Sequence, residues 1–374
     1  MSISTNLEQA ALQQAEHKNA ALQQTGSKQT RLEALIKSPT LVNQETTPPV
    51  IVVGLPRSGS SYLAHVLSCL EGWFIFDDLY PYQKAATVGL SSTYDLSQDP
   101  ERLKKYVNQL SWQLWAKIKY EENFQVPDLS LEDPFEMEAA LLTAIQTAGL
   151  MTWPQVLEEW MMRLTLYGKK RRWGYKTPQD FMHMDELAKI FPGAKFIYIL
   201  RDPRKMMRSF KNLPRVKTNG NQDGESRQYH PAVYSLYWKN AYEKVQAFQQ
   251  KGSAPVEVVK FEDLVRSPQA VAERLAQFLD THVSGDVTAE KSNSSVKHGA
   301  PKELTNTEVA ICEKVAGPAM RSAGYTLHAL TPRPFDIIDL ISTSVTFTHY
   351  QLDRIATNKK ARTSIIAFIK SIFQ

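Results

Sequence analysis

Short runs of β-branched and aromatic residues alternate with stretches of helical periodicity through the central part of the chain. The runs are Val50 to Gly54, Trp73 to Phe76, Trp173 to Lys176, Lys195 to Leu200 and Val256 to Phe261. Continuously apolar strands separated by helices are typical of a buried parallel sheet. The pattern therefore predicts an α/β fold in three layers, with a central, mostly parallel sheet flanked by helices.

The same pattern divides the chain into three parts. Residues 1–45 are rich in Ala, Gln and Leu and predict a helical or partly disordered N-terminal arm. Residues 46–330 form the predicted main domain, with a helical insertion over about 95–168, where Leu103, Val107 and Leu110 begin an amphipathic repeat. The polar, Gly-containing segment Pro214 to His230 predicts a loop.

Residues 331–374 predict an amphipathic helical extension. Its end places Ile365, Ile369 and Ile372 near Lys359 and Lys360. Basic amphipathic helices pack on proteins and also lie on membranes. We favour packing on the chain's own domain or on a partner subunit, and peripheral membrane contact or an oligomer remains open.

Composition excludes several classes of protein. The chain has 374 residues, of which 43% are hydrophobic and 22% charged, so it is neither a peptide hormone nor disordered throughout. The net charge of +5 suits an anionic ligand, but the basic residues are dispersed, so no nucleic-acid partner is expected. Two cysteines, no secretory leader and no long apolar run predict a cytoplasmic protein without a transmembrane segment.

A glycine-containing loop after the first strand carries the strongest chemical signal. Gly54 and Gly59 are separated by four residues, and Ser60 and Ser61 follow. This spacing matches a phosphate-binding P-loop, except that Ser60 replaces the usual lysine. Backbone N–H groups and the positive end of the next helix still predict an anion site, to which Arg57 and the loop serines can donate.

A second candidate site follows a later strand. Arg201 stands at the carboxyl end of that strand, where open α/β sheets place ligands, and Pro203 begins a helix. Ser209 then lies roughly 9 Å along this helix at about 1.5 Å per residue. The pattern predicts a second group of anion-binding side chains.

Together these motifs resemble those of sulfotransferases that use 3′-phosphoadenosine 5′-phosphosulfate (PAPS), including bacterial members of that family. The resemblance covers about residues 48–325. It implies a P-loop-like fold, PAPS as donor and 3′-phosphoadenosine 5′-phosphate (PAP) as product, with no metal required. It implies that Arg57, Ser58, Gly59, Ser60 and Ser61 bind the 5′-phosphosulfate. Arg201 and Ser209 would bind the 3′-phosphate, so that Arg57 and Arg201 grip opposite ends of the nucleotide.

Further residues carry the resemblance less sharply. Lys176 lies in a Lys-Thr-Pro element of the kind that some family members have, which implies a role in stabilising the leaving oxygen. Pro178 stands where cytosolic members carry a catalytic histidine, so the base is expected instead to be Asp78, or else Asp77. Lys297, in a late polar loop, is a candidate contact to a phosphate.

The sequence thus predicts an enzyme, a sulfotransferase acting on a hydroxyl, less favourably an amine, of a carbohydrate, lipid or small-molecule acceptor. Two alternatives stay open. A P-loop kinase-like phosphotransferase would use the same fold, although Ser60 contradicts its usual motif. A non-catalytic nucleotide-binding scaffold would keep the pocket, since a fold alone does not establish activity.

Overall fold

The computed structural model describes residues 48–93, 99–121, 126, 129–148, 152–212, 229–288 and 302–357. The predicted N-terminal arm, most of the polar segment before His230, the end of the C-terminal extension and Lys297 lie outside these residues.

Five strands form one sheet. They are β1 (Val50–Gly54), β2 (Trp73–Asp77), β3 (Arg172–Lys176), β4 (Lys195–Leu200) and β5 (Val256–Lys260). Their order is β2-β3-β1-β4-β5, with β1 parallel to β3 and β4, and β4 parallel to β5. The predicted α/β fold, with a mostly parallel central sheet flanked by helices, is confirmed, and so are the five predicted strands.

The helices of the described residues fill the intervals between and after the strands. Before β3 they are α1 (Ser60–Ser68), α2 (Pro81–Thr87), α3 (Pro100–Tyr120), α4 (Asp133–Ala148) and α5 (Trp153–Tyr167). After β3 they are a 3₁₀ helix (Pro178–His183), α6 (Met184–Ile190), α7 (Pro203–Lys211), α8 (Pro231–Lys251), α9 (Phe261–Arg266), α10 (Pro268–Phe278), α11 (Asn306–Ser322) and α12 (Pro334–Thr357). No helix in these described ranges is long and apolar enough to cross a bilayer.

Close backbone packing sets the middle of the sheet. All five residues of β1 are buried. A Cβ atom at Gly174 of β3 would lie 2.5 Å from the Val50 carbonyl oxygen, and one at Gly54 would lie 2.7 Å from Ile199 Cγ2. Glycine at both positions therefore lets β1 sit tightly between its neighbours, which brings the carboxyl ends of β3, β1 and β4 side by side.

The chain divides into two compact units. The described part of one comprises Gly72–Phe74 and Leu79–Trp173, and it contains α2 to α5, where the helical insertion was predicted. Its buried aromatic side chains include Tyr106 and Trp153, whose ring centroids lie 6.1 Å apart. The other unit comprises Pro48–Glu71, Ile75–Asp78 and the chain from Gly174 onward, and all of the described candidate site residues belong to it.

His230 links the start of α8 to α12 within this second unit. Its Nδ1 accepts a hydrogen bond from the Val233 N–H at 3.4 Å, and its Nε2 lies 3.1 Å from Ser344 Oγ. The ring of Phe347 lies 5.4 Å away, centroid to centroid. Burial lowers the pKa of His230, and a protonated Nδ1 could no longer accept the capping hydrogen bond.

We therefore expect acid to destabilise the protein through His230. Because its pKa is lower when folded, the unfolded state takes up the proton first, so stability is retained above about pH 6.5 and falls as the pH drops below it. Between pH 7.5 and 5.5, wild type should lose more unfolding free energy than His230→Asn, which keeps a capping acceptor. Urea unfolding at the two pH values measures this, and equal losses would contradict it.

Candidate active site

The loop between β1 and α1 leaves a helix N-terminus open. Gly59 is the N-cap residue of α1 and has a φ of 94°. Because glycine has no side chain, it supplies no side-chain hydrogen bond that would cap the helix. A Cβ atom there would lie 2.2 Å from a ring carbon of Phe261, so the position requires glycine. Buried Ser58 closes the turn, since its Oγ donates to the Leu55 carbonyl oxygen at 2.6 Å. The first N–H groups of α1 thus form a site that favours an anion.

The structure brings Arg57, Arg201 and Ser209 together. Arg57 Nε donates to Ser209 Oγ at 3.0 Å, and Arg201 Nη1 donates to the Arg57 carbonyl oxygen at 2.7 Å. Side chains from the loop after β1, from the end of β4 and from α7 therefore meet here. Arg57 was expected at the opposite end of the nucleotide from Arg201, but its guanidinium lies beside Ser209. The chain turns at Arg57 with φ of 70°, a conformation that the residue pattern does not reveal.

Burial disfavours the charged form of both arginines, and one donor of Arg201 is unsatisfied among the described residues. Burial lowers the pKa of Arg201; the charge of Glu262 opposes this shift and the charge of Arg57 adds to it. Burial also lowers the pKa of Arg57. In the described structure, Nε of Arg201 is buried without a hydrogen-bond partner. A bound phosphate would satisfy this donor and offset the desolvation of both cations.

Neighbouring side chains hold Arg201 in place. Its Cζ lies 4.2 Å from the ring centroid of Phe261, and Trp238 Nε1 donates to its carbonyl oxygen at 2.8 Å. Asp202, the adjacent carboxylate, is engaged elsewhere. It caps α7 by accepting the Arg204 N–H at 2.9 Å, and it forms a 2.7 Å ion pair with Arg204 Nη2.

Lys176 joins the two candidate carboxylates to the loop. Its Nζ lies 2.7 Å from Asp77 Oδ1 and 2.5 Å from Asp78 Oδ1. It also donates to Ser61 Oγ, in the first turn of α1, at 3.3 Å. The sheet order explains the cluster, since β3 lies between β2 and β1, and Asp77 and Lys176 are the last residues of β2 and β3.

Burial and charge act in opposite directions on this lysine. The side chain of Lys176 is only 2% exposed, whereas those of Asp77 and Asp78 are 24% and 39% exposed. Burial by itself lowers the pKa of Lys176, but the charges and hydrogen bonds of the two carboxylates outweigh it and raise the pKa overall. The ammonium is thus held as a cation beside the open N-terminus of α1.

The other predicted residues have different surroundings. Ser60 is buried at the start of α1, while Ser61 is exposed. Lys297 lies outside the described residues. Sequence reasoning missed Phe261 and Trp238 as neighbours of the site; Phe261 directly follows β5, and its place at a strand end was the available signal.

The fold is that of an α/β protein whose first loop favours an anion, and comparison with known families is more specific. The sequence model of the sulfotransferase family matches residues 48–285, more than half of the chain. The chain therefore belongs to the sulfotransferase family and is a transferase, which confirms the resemblance found in the sequence. No curated protein matches it significantly.

Three of the solved structures that the chain resembles are described as sulfotransferases. The sulfotransferase domain of the Synechococcus PCC 7002 olefin synthase has 18% identity and a TM-score of 0.42, and the match covers 83% of this chain and 98% of that domain. Sulfotransferase STF9 from Mycobacterium avium has 15% identity and a TM-score of 0.38, with 79% and 80% covered. A sulfotransferase from Alicyclobacillus acidocaldarius has 14% identity and a TM-score of 0.39, with 76% and 98% covered.

Proposed function

We propose that the protein transfers a sulfuryl group from PAPS to the hydroxyl of a small-molecule, carbohydrate or lipid acceptor. The observation that carries this proposal is the convergence of Arg57, Arg201 and Ser209 beside an uncapped P-loop helix. Two basic side chains and a hydroxyl, in addition to the loop N–H groups, suit a nucleotide with phosphates at two positions. An ATP-binding P-loop needs only the one site, together with the lysine that Ser60 replaces.

The donor's two charged ends have separate partners in this proposal. Arg201, Ser209 and Arg57 bind the 3′-phosphate, because they are joined to one another by hydrogen bonds and the buried Nε of Arg201 has no partner among the described residues. The N–H groups that follow Gly59 bind the 5′-phosphosulfate at the start of α1. Ser61 contacts Lys176, so it connects this end to the lysine.

Catalysis then requires charge stabilisation on one side of the sulfur and proton removal on the other. The donor supplies the sulfuryl group and a phosphate leaving group when it is bound. Lys176 stabilises the negative charge that develops on the leaving oxygen as its bond to sulfur breaks. Asp78 accepts the proton of the acceptor hydroxyl as the new oxygen–sulfur bond forms in line with the breaking one.

Asp78 is preferred to Asp77 as the base because it is the more exposed of the two carboxylates. Both contact Lys176, which holds them near the reacting centre while leaving Asp78 accessible to an acceptor. We also place the protein in the cytoplasm, since its two cysteines are too few for a disulfide framework.

Thermal unfolding with nucleotides tests the proposal. PAP should stabilise the wild-type protein by about 2.7 kcal/mol at a hundred times its Kd, and ADP or AMP at the same concentration should do much less. Arg201→Ala should weaken PAP binding roughly 10- to 100-fold, as expected for charge-assisted hydrogen bonds to phosphate.

Arg266→Ala is the matched control, because the Arg266 side chain is 74% exposed and should not affect PAP binding. Equal stabilisation by ADP with magnesium would instead favour the kinase-like alternative. A protein that responds to none of these nucleotides would contradict the PAPS proposal.

A further inference from the structure

Hydrogen bonds from both sides hold the peptide group that joins Arg201 to Asp202. Its carbonyl oxygen accepts the Trp238 indole N–H at 2.8 Å, and its N–H donates to Glu262 Oε1 at 3.0 Å. Trp238 belongs to α8 and Glu262 to the first turn of α9, so two different helices fix one peptide group. Because a peptide group is planar, its orientation sets the direction in which the Arg201 side chain leaves the end of β4.

Glu262 is itself held in place. Its second oxygen, Oε2, accepts a hydrogen bond from the Tyr325 hydroxyl at 3.1 Å. Tyr325 follows α11, and its backbone N–H donates to the Met320 carbonyl oxygen at 2.8 Å. Both carboxylate oxygens of Glu262 therefore have a donor, which restricts the side chain to one orientation. Restricted supporting side chains of this kind keep a binding residue in the geometry that recognition requires.

The neighbouring acidic side chains have other partners. The Asp202 carboxylate caps α7 and pairs with Arg204 Nη2 at 2.7 Å. Asp263, in the same helix turn as Glu262, lies 3.6 Å from Arg266 Nη1. Of these three carboxylates, the one that accepts the Asp202 N–H in the described structure is that of Glu262.

The charge of Glu262 acts in the opposite direction from its hydrogen bond. Burial lowers the pKa of Arg201, and the charge of Glu262 opposes this shift, so the carboxylate acts on the guanidinium. By charge alone, a carboxylate at this distance would repel a phosphate bound to Arg201. A role through charge and a role through position thus predict opposite effects on anion binding.

We propose that Glu262 is a positioning residue, which directs the Arg201 side chain toward the 3′-phosphate by holding the peptide group between Arg201 and Asp202. The inference rests on the proposed function, because it concerns the same nucleotide site. In this role Glu262 does not touch the nucleotide and acts through Arg201. The length of the Glu262 side chain should then matter more than its charge.

Two substitutions separate length from charge. Glu262→Asp keeps the charge but withdraws the carboxylate by one methylene group, whereas Glu262→Gln keeps the length and an acceptor oxygen but removes the charge. Glu262→Asp should weaken PAP binding about 10-fold and Glu262→Gln less than about 3-fold, as expected for loss and retention of one hydrogen bond. Isothermal titration calorimetry measures both. Wild-type affinity in Glu262→Asp, or a larger loss in Glu262→Gln, would overturn the proposal.

A double-mutant cycle tests whether Glu262 acts through Arg201. In an Arg201→Ala background, Glu262→Asp should change the Kd for PAP less than about 2-fold, because no guanidinium remains to be positioned. Asp263→Asn is the matched control, since it removes a carboxylate from the same helix turn and should leave PAP binding unchanged. An undiminished loss in the Arg201→Ala background would show a general structural role and overturn the proposal.

The Trp238 indole N–H reports on the peptide group without any nucleotide. In NMR spectra it is the indole signal that Trp238→Phe removes. Glu262→Asp should shift this signal and Glu262→Gln should not, since the indole donates to the held peptide group. An unchanged signal in Glu262→Asp would overturn the proposal whether or not PAP binds. The expected shift in a protein whose wild type fails to bind PAP would refute the proposed function but support the positioning of Arg201.

Discussion

Replacing Lys176 with methionine is expected to lower kcat about 10²- to 10³-fold, the usual loss when a donor to a developing oxyanion is removed. The side chain length is nearly retained, but the buried cation between Asp77, Asp78 and Ser61 is lost. PAP binding should change far less, because the contacts proposed for the 3′-phosphate do not include Lys176. The effect is thus on turnover rather than on nucleotide affinity.

The measurement is release of PAP from PAPS with an acceptor chosen from a screen of phenols, sugars and hydroxylated lipids. Lys251→Met is the control, since Lys251 forms an exposed ion pair with Asp185. Lys176→Arg should recover part of the activity, because it keeps the charge but not the geometry. Turnover by Lys176→Met within a few-fold of wild type would exclude a catalytic role for this lysine.

Gly59→Ala is expected to destabilise the protein by about 2–4 kcal/mol, combining backbone strain with a steric clash. The φ of 94° is unfavourable for alanine, and the new Cβ would lie 2.2 Å from a ring carbon of Phe261. If Phe261 moves to relieve the clash, Arg201 loses the ring that packs 4.2 Å from its Cζ. Stabilisation by PAP should therefore also be lost.

Urea unfolding separates the two contributions. Gly252→Ala is the matched control, because Gly252 has φ of 67° but no atom within 4 Å of the added Cβ, so only the backbone term of about 1 kcal/mol applies. Adding Phe261→Ala to Gly59→Ala should recover part of the loss by removing the clash. Equal destabilisation by the two glycine variants would show that Phe261 does not restrict the loop.

Local signals account for what was predicted correctly. The five strands were visible because each is a short, continuous apolar run, and the loop before α1 was visible because its glycine spacing is contiguous. Arg201 and Ser209 lie on one strand-to-helix unit, so helix geometry alone predicted their separation of roughly 9 Å along the helix axis. Such features depend on neighbouring residues and need no knowledge of the sheet order.

The contacts between residues far apart in the sequence could not be predicted from such local signals. The contact between Lys176 and Asp78 joins residues 98 positions apart, and that between Arg57 and Ser209 joins residues 152 apart. Both depend on which strands become neighbours and on the turn at Arg57. The packing of Phe261 against Gly59 and Arg201 is likewise a long-range contact that no local pattern encodes.

By itself, then, the sequence determined the α/β class and the family, because these follow from apolar periodicity and contiguous motifs. Only the tertiary structure decided that Arg57 lies with Arg201 and Ser209, and that Lys176 bridges two carboxylates. It also decided which face of α12 is exposed, since packing against His230 and Thr307 sets the rotation of that helix. The physical reason is the same in each case: long-range packing orients side chains whose positions the local sequence leaves free.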